Sequence, residues 1–381
     1  MTIEWATART WAEIDLDKVL FNYRNALAEL GPGVRHYVVL KANAYGLGAV
    51  GLAKALYGEG ARLFAVACAQ EALELADVLP PDADILIMGV TMPPEMDAIL
   101  RAPSIVPSIM SLDSARAFSE KAGELGRVLR YHCKVDTGLH RLGFATEEAV
   151  DAIAHIHTLP HLTLEGVFSH VQRRSPEHDR LQAERLYAVR DGLASRGIDV
   201  PLLHLLDSIG MWRYPEFQMD AVRDAAFLVG HTPQDYPRPE NIRFSLAFKT
   251  RIVRIHDAPA GVCLGYDSEH PLEAPTRVAT LCVGYADGYP RAMSHRAEVE
   301  IHGKRARVLG VVCMDLVMVD VGHIPEAAVG DEVLLLGGGI DIWTYAGFCD
   351  GYNNECIAAI GRRVPRVYVK GGRVVEVAEY M

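Results

Sequence analysis

A chain of 381 residues, half of them apolar, can bury a large core and is long enough for two domains. Its formal net charge of −11 at pH 7 argues against nucleic acid or an anionic membrane surface as a partner, because either polyanion is repelled at long range. Small-molecule chemistry remains. The seven cysteines (Cys68, Cys133, Cys263, Cys282, Cys313, Cys349, Cys356) are odd in number and scattered, with no C-x-x-C pair. They are read as reduced, with neither a disulfide framework nor a zinc knuckle. The opening "MTIEWATARTWAEIDLDKV" meets acidic residues before any apolar core of signal-peptide length, and no stretch approaches ~18 uncharged apolar residues. A soluble, cytoplasmic protein is expected.

From residue 36 to about 230, short apolar runs recur with helix-like segments between them. The runs are "HYVVL" (36–40), "LFAVA" (63–67), "DILIM" (84–88), "SIVPSI" (104–109), "RYHCKV" (130–135), "TLEGVF" (163–168), "LLHLL" (202–206) and "AAFLVG" (225–230). Between the second and third, "AQEALELADVL" carries Ala69, Leu73, Leu75, Ala76 and Leu79 at roughly helical spacing. Strand and helix thus alternate about eight times, which predicts a (β/α)₈ barrel of the TIM type, with an open doubly wound sheet as the alternative. After "HTPQDYPRPEN" (231–241) the pattern changes to alternation without intervening helices, in "FSLAFKTRIVRI", "TRVATLCVGYADGYP", "AEVEIHGKRARVLG" and "DEVLLLGG". The expected organisation is a barrel domain over 1–242 and a mostly antiparallel β domain over 243–381. "GGG" at 337–339 follows "EVLLL" and reads as a β-turn.

One side chain stands out in the first run. In "HYVVLKANAYGLG", Lys41 ends an apolar β-branched stretch, and the C-terminal strand ends of a barrel face its active site. A lysine there can simply snorkel into solvent. The tyrosine and two glycines that follow, just before a helix start, offer instead backbone donors for a phosphate. A partly desolvated lysine has a lowered pKa and condenses with carbonyls. Together these suggest pyridoxal phosphate (PLP).

"VVLKANAYGLG" resembles the cofactor-lysine signature of the alanine racemase family. Further matches follow in family order: "TWAEIDLD", "KVDTGLHRLGF", "EGVFSH", "VGYADGYPR", "VLGVVCMDLVMVDV" and "RRVPRVY", so the resemblance runs from about residue 9 to 369. It implies a PLP-dependent racemase of alanine, with Lys41 holding the cofactor. Racemisation also needs a second acid/base on the opposite face of Cα. In the family this is a tyrosine from the partner subunit, and Tyr266 in "CLGYDSEH" is similar to it, which implies a homodimer with shared active sites. A free phenol titrates at about 10, too high for a base at neutral pH, so it needs help. His170 matches the family histidine that bonds that tyrosine, and Arg223 matches the arginine that holds both this histidine and the pyridine nitrogen. Arg141 resembles the residue at the cofactor's phenolic oxygen and the substrate carboxylate. Lys134 aligns with a lysine that is carbamylated in many members and positions that arginine. Met314 and Tyr285 match residues at the substrate entrance, and Tyr45 and Ser208 match phosphate contacts.

The chain departs from the family pattern at four places. Asp207 stands for asparagine, Asp224 and Ala225 for proline and glycine, Leu47 for histidine, and Asn354 for the tyrosine that contacts phosphate and walls the substrate methyl pocket. An added carboxylate beside the phosphate is unhelpful unless paired. An amide at 354 opens room and offers a donor and an acceptor, which favours serine, or a broader set of small amino acids, as an alternative substrate. If the loop shifts by two residues, Tyr352 restores the wall. A rival of another class is a non-catalytic PLP-binding protein related through the barrel alone, against which Tyr266 and "CMDLVM" count. A decarboxylase on the same two-domain plan is a second rival. No metal is expected: His132, His140 and His170 lack ligand spacing and are placed at the surface or in support of a site.

Overall fold

The computed structural model describes residues 9–232 and 241–379. Most of "HTPQDYPRPEN" and the first eight residues of the N-terminal stretch lie outside the described residues.

The first strand, β1 (Thr10–Asp15), does not join the barrel. The next nine form one parallel sheet: β2 (Arg35–Val39), β3 (Leu63–Val66), β4 (Asp84–Ile87), β5 (Ile105–Ile109), β6 (Leu129–Asp136), β7 (Phe144–Ala145), β8 (Leu162–Phe168), β9 (Leu202–Asp207) and β10 (Ala221–Asp224). Pairing of β5 with β6 closes a ring of eight, and β7 hangs on β6 outside it. This is the (β/α)₈ barrel. Its strands read as unbroken apolar runs because helices cover one face and the barrel interior the other; all five residues of β5 are buried. The helix expected after β3 runs Ala69–Ala76 and buries Ala69, Ala72 and Leu75. Caps fix the longer helices where they begin. Ser111 Oγ accepts the Ser114 amide, and Ser175 Oγ that of His178, with Pro176 at the first helical position.

The eighth strand lies four residues before its expected place. The apolar run at 225–230 is not a strand, since Ala226–Val229 is one helical turn that buries Phe227, Leu228 and Val229. The Ala225 and Ala226 amides donate to Ser208 Oγ (3.0 Å each) and the Phe227 amide to Asp224 Oδ1 (3.3 Å), so side chains draw them off any ladder. The strand itself, "AVRD", is polar because the barrel interior takes its arginine.

The second sheet contains β1 with β11 (Leu246–Ala258), β12 (Thr276–Leu281), β13 (Glu298–Ile301), β14 (Lys304–Leu309), β15 (Val317–Asp320), β16 (Glu332–Leu336), β17 (Arg366–Lys370) and β18 (Arg373–Ala378). Its order is β12-β15-β14-β13-β16-β11-β1-β17-β18, and β11 also pairs with β12. Every pairing is antiparallel except β1 with β17. The triple glycine makes a tight turn after β16, with Gly337 and Ile340 exchanging amide bonds of 2.7 and 2.9 Å. The chain groups into two compact units, Asn22–Ala44 with Leu52–Leu228, and the remainder, which includes 45–51. Among the described residues no helix is long and apolar enough to cross a membrane.

Candidate active site

β2 ends at Val39, the Leu40 amide bonds Ala65 on the neighbouring strand (2.8 Å), and Lys41 follows at the C-terminal mouth of the barrel. The backbone then turns left-handed for four consecutive residues, Ala42, Asn43, Ala44 and Tyr45, at φ 53–55°. Left-handed backbone costs L-residues roughly 1–2 kcal/mol each, and such strain persists only where surrounding structure enforces it. Glu71 enforces it here: Oε1 accepts the Ala42 amide at 2.6 Å while Oε2 accepts that of Ala67 at 2.9 Å. The turn delivers the lysine into the mouth. Burial lowers the pKa of the Lys41 amine, and the Arg141 and Arg223 charges add to that against Glu71 and Asp207.

A polar chain occupies the barrel interior beneath it. Arg223, 4% exposed, bonds His204 Nδ1 through Nη1. Its Nη2 donates to Ser169 O (2.7 Å) and Leu205 O (2.8 Å) and reaches His170 Nδ1 (3.3 Å). His204 Nε2 meets His132 Nδ1 at 2.9 Å, and the His204 ring lies between Phe168 (centroids 4.9 Å, 3°) and Tyr37 (5.5 Å, 24°). Burial draws Arg223 down to about 10, still charged at neutral pH. Desolvation and then the Arg223 charge hold His170 and His204 well below the ordinary imidazole value and His132 at about 3. All three are neutral. Since Nδ1 of His204 and of His170 accepts from arginine, the network assigns the proton to Nε2 in each. His132, expected at the surface or in support of a site, is in the barrel interior with no exposure. Residue 166 must be glycine for it: a Cβ there would lie 2.7 Å from the His132 ring. His204 was not singled out in the sequence, although a histidine centred in "LLHLL" is its signal.

Lys134 on β6 is 5% exposed, with Nζ 4.2 Å from the Phe168 ring centroid. Burial first, then Arg223 and Arg141, lower its amine to about 7. Two residues on, Asp136 organises the loop: Oδ1 accepts the Gly138, Leu139 and His140 amides (2.9–3.0 Å) and Oδ2 that of Arg141 (3.0 Å). Partial burial opposes ionisation of Asp136, but these donors prevail and lower its pKa. They fix the backbone from which the exposed Arg141 extends.

Ser208 begins the turn after β9, capped by Asp207, whose Oδ1 accepts the Gly210 amide at 2.9 Å. Asp207 also faces Arg173 at 3.6 Å. Asp224 turns away from Arg223, fully buried and 3.5 Å from His36 Nε2. Asp207 is thus paired with a cation, whereas Asp224 Oδ1 accepts only the Phe227 amide and its Oδ2 is buried without a hydrogen-bond partner among the described residues, so the objection stands answered for Asp207 alone.

Tyr45, Tyr266, Tyr285, Met314 and Asn354 fall in the other unit. Tyr266 stands 84% exposed in the connection between β11 and β12. The Tyr285 and Met314 loops are stitched by amide bonds from Tyr285 to Cys313 O and Ala286 to Met314 O, 3.1 Å each. Both side chains are exposed. Beneath them the buried Asp287 receives Arg9 (2.7 Å), Arg363 (2.8 Å) and the Gly284 amide (2.9 Å). Asn354 is half-buried in the helix Asn353–Ala358, its Oδ1 without a hydrogen-bond partner among the described residues, and Tyr352 caps that helix half-exposed.

The family described as alanine racemase, N-terminal domain, matches residues 14–233, and alanine racemase, C-terminal domain, matches residues 245–368. An alanine racemase of Desulfovibrio desulfuricans is 38% identical over 367 residues, covering 94% of this chain and 98% of that protein. The structure of alanine racemase from Clostridium difficile 630 superposes with a TM-score of 0.93 at 32% identity, covering 98% of this chain and 99% of that one. The alanine racemase of Bartonella henselae, solved with covalently bound pyridoxal phosphate, gives 0.85 at 25% identity over 95% of this chain and 100% of that one. Matched across both halves of its length, the chain belongs to the alanine racemase family.

Proposed function

We propose that this protein interconverts L- and D-alanine with pyridoxal phosphate, in a homodimer whose two active sites each draw on both chains. The observation that carries this reading is the barrel, where a buried, charged Arg223 is held by neutral His204 and His170 while Lys41, at the end of β2, has its amine lowered by burial and by the Arg141 and Arg223 charges. The residues suit the cofactor. Lys41 offers its amine, Arg223 a donor that cannot surrender its proton to a ring nitrogen, and Ser208 a hydroxyl. Because Ser208 Oγ already accepts two amides, its own proton is left for a phosphate oxygen. The Tyr45 hydroxyl and the Asn354 side-chain N–H, both donors, complete the phosphate set in this reading; the unsatisfied Asn354 Oδ1 is an acceptor and takes no part in it. When bound, the cofactor withdraws electrons from Cα and acidifies its hydrogen.

The chain's own residues do the rest. The Lys41 amine, depressed by burial, takes or returns the proton on one face of Cα. Tyr266 of the second copy serves the opposite face, and its exposure suits a side chain offered to a partner. His170, neutral with its proton on Nε2, donates a hydrogen bond that steadies that phenol as it loses its proton. Arg141 receives the substrate carboxylate, with Met314 and Tyr285 at the entrance. Carbamylation of Lys134 removes the repulsion between it and Arg141. Seven free cysteines agree with work in the cytoplasm. Relatives named as alanine racemases favour alanine over the serine alternative.

A chiral product assay over a panel of L-amino acids tests the reaction, with D-alanine the dominant product expected. Lys41→Ala should lower kcat/KM by at least about 10²- to 10⁴-fold and abolish the borohydride-reducible link between cofactor and protein. A Lys41→Ala protein that keeps this link refutes the assignment.

A further inference from the structure

Outside the barrel, three side chains that the racemase reading leaves unused converge beside Tyr266. Asp267, next in sequence to it, is 3% exposed at its side chain. Its Oδ1 accepts the Glu269 (3.0 Å) and His270 (3.3 Å) amides and lies 3.2 Å from His270 Nδ1. Its Oδ2 lies 3.1 Å from His295 Nε2, yet neither atom forms a hydrogen bond of acceptable geometry, and both are buried. The two imidazoles stand 4.3 Å apart at 41°, and the donor atoms of all three residues lie within 4.8 Å of one another. His295 also holds a left-handed backbone, φ 61°, between the short helical turn Arg291–Met293 and β13. Strain, two orphaned buried atoms and a two-histidine, one-carboxylate donor set coincide at one point.

We propose that Asp267, His270 and His295 bind a divalent transition metal ion of the zinc class. Two imidazole nitrogens and a carboxylate oxygen suit a borderline ion such as Zn²⁺. Zinc bonds of about 2.0–2.2 Å in a tetrahedron put neighbouring donors roughly 3.3–3.6 Å apart; Asp267 Oδ2 and His295 Nε2, 3.1 Å apart, are near that edge, and the exposed His270, whose Nδ1 lies 3.2 Å from the other carboxylate oxygen, completes the set within the 4.8 Å that spans the three donors. Calcium and magnesium, which take oxygen donors, are disfavoured. The metal satisfies Asp267 Oδ2 and His295 Nε2 together, and His270, 60% exposed at its side chain, leaves a path from solvent and a fourth position for water. Occupancy ties the Tyr266 segment to the segment before β13. The expectation of no metal weighed other histidines and did not consider these.

The test uses untagged holoenzyme, stripped with EDTA and dialysed to equilibrium against Zn²⁺, with metal analysis, and Co²⁺ as a spectroscopic probe. One Zn²⁺ per chain is expected, with Co²⁺ giving the visible bands of a low-coordinate nitrogen–oxygen site. His270→Ala and His295→Asn should each weaken binding by at least about tenfold. His270 is exposed and His295→Asn suits left-handed backbone, so both variants fold, which circular dichroism checks. Failure of the wild type to retain Zn²⁺, or equal retention by both variants, overturns the site. Either result leaves the racemase reading untouched, because the readout is metal bound and not alanine turned over.

Discussion

Lys134 shows how far one side chain's surroundings reset its chemistry. An ordinary lysine at pH 8 is almost wholly charged, since its pKa is about 10.4. With Phe168 against its amine and Arg223 and Arg141 nearby, Lys134 sits at about 7 and is mostly neutral at that pH. A neutral amine adds to carbon dioxide and an ammonium does not. Holoenzyme in ¹³C-bicarbonate at pH 8 is therefore expected to show a carbamate carbon by NMR that Lys134→Met lacks. A spectrum identical in the two proteins refutes it. Linkage gives the same residue a second signature. Between about pH 7 and 10.4 the unfolded chain carries a proton on Lys134 that the native uncarbamylated protein does not, so stability rises with pH across that window. Below it both states are protonated and the full penalty, on the order of a few kcal/mol, is present. In bicarbonate-free buffer Lys134→Met should raise the urea midpoint at pH 7 and flatten its rise toward pH 10.

At the scale of strands, the inward faces of β6, β9 and β10 carry His132, His204 and Arg223, and His170 lies just past β8. Three histidines are held neutral, so below their unfolded pKa of about 6.5 the unfolded chain binds protons that the native chain refuses. Stability is fully present above that value and falls with acid, at up to about 1.4 kcal/mol per pH unit for each histidine. His132→Gln keeps an acceptor for His204 and removes one titration. Its urea midpoint should fall less steeply between pH 6.5 and 5, by roughly a third of the histidine slope; an unchanged slope excludes His132 from the effect. This layer also marks the limit of legibility. Runs such as "LFAVA" and "DILIM" lie on β3 and β4 because parallel strands buried on both faces must be continuously apolar. "AVRD" escaped that rule because its interior face holds an ion, and the apolar segment after it went into a helical turn. β1 was illegible for another reason: its partners, Lys249 and Val367 among them, are more than 230 residues away. Lys41 was legible as a strand end before glycines, whereas the approach of Asp224 to His36 depends on two strands being neighbours, which no local pattern states.

At the scale of the whole molecule, each site in the proposed dimer needs Lys41 from one chain and Tyr266 from the other. The exposure of Tyr266 (84%), Met314 (52%) and Tyr285 (43%) is the correlate in a single chain, apolar surface that an isolated copy leaves in water. Complementation tests the sharing directly. Lys41→Ala and Tyr266→Phe each inactivate both sites of their own homodimers. Unfolded together and refolded, the two chains form mixed dimers in which one site is intact, built from Lys41 of the Tyr266→Phe chain and Tyr266 of the Lys41→Ala chain. Random pairing makes half the dimers mixed with one of two sites restored, so activity should recover to roughly a quarter of wild type. A site confined to one chain permits no recovery, because every chain then carries a lesion in its own site. Recovery that grows with the fraction of mixed dimers, measured by tagging one chain, supports sharing, and inactivity of the purified mixed dimer refutes it.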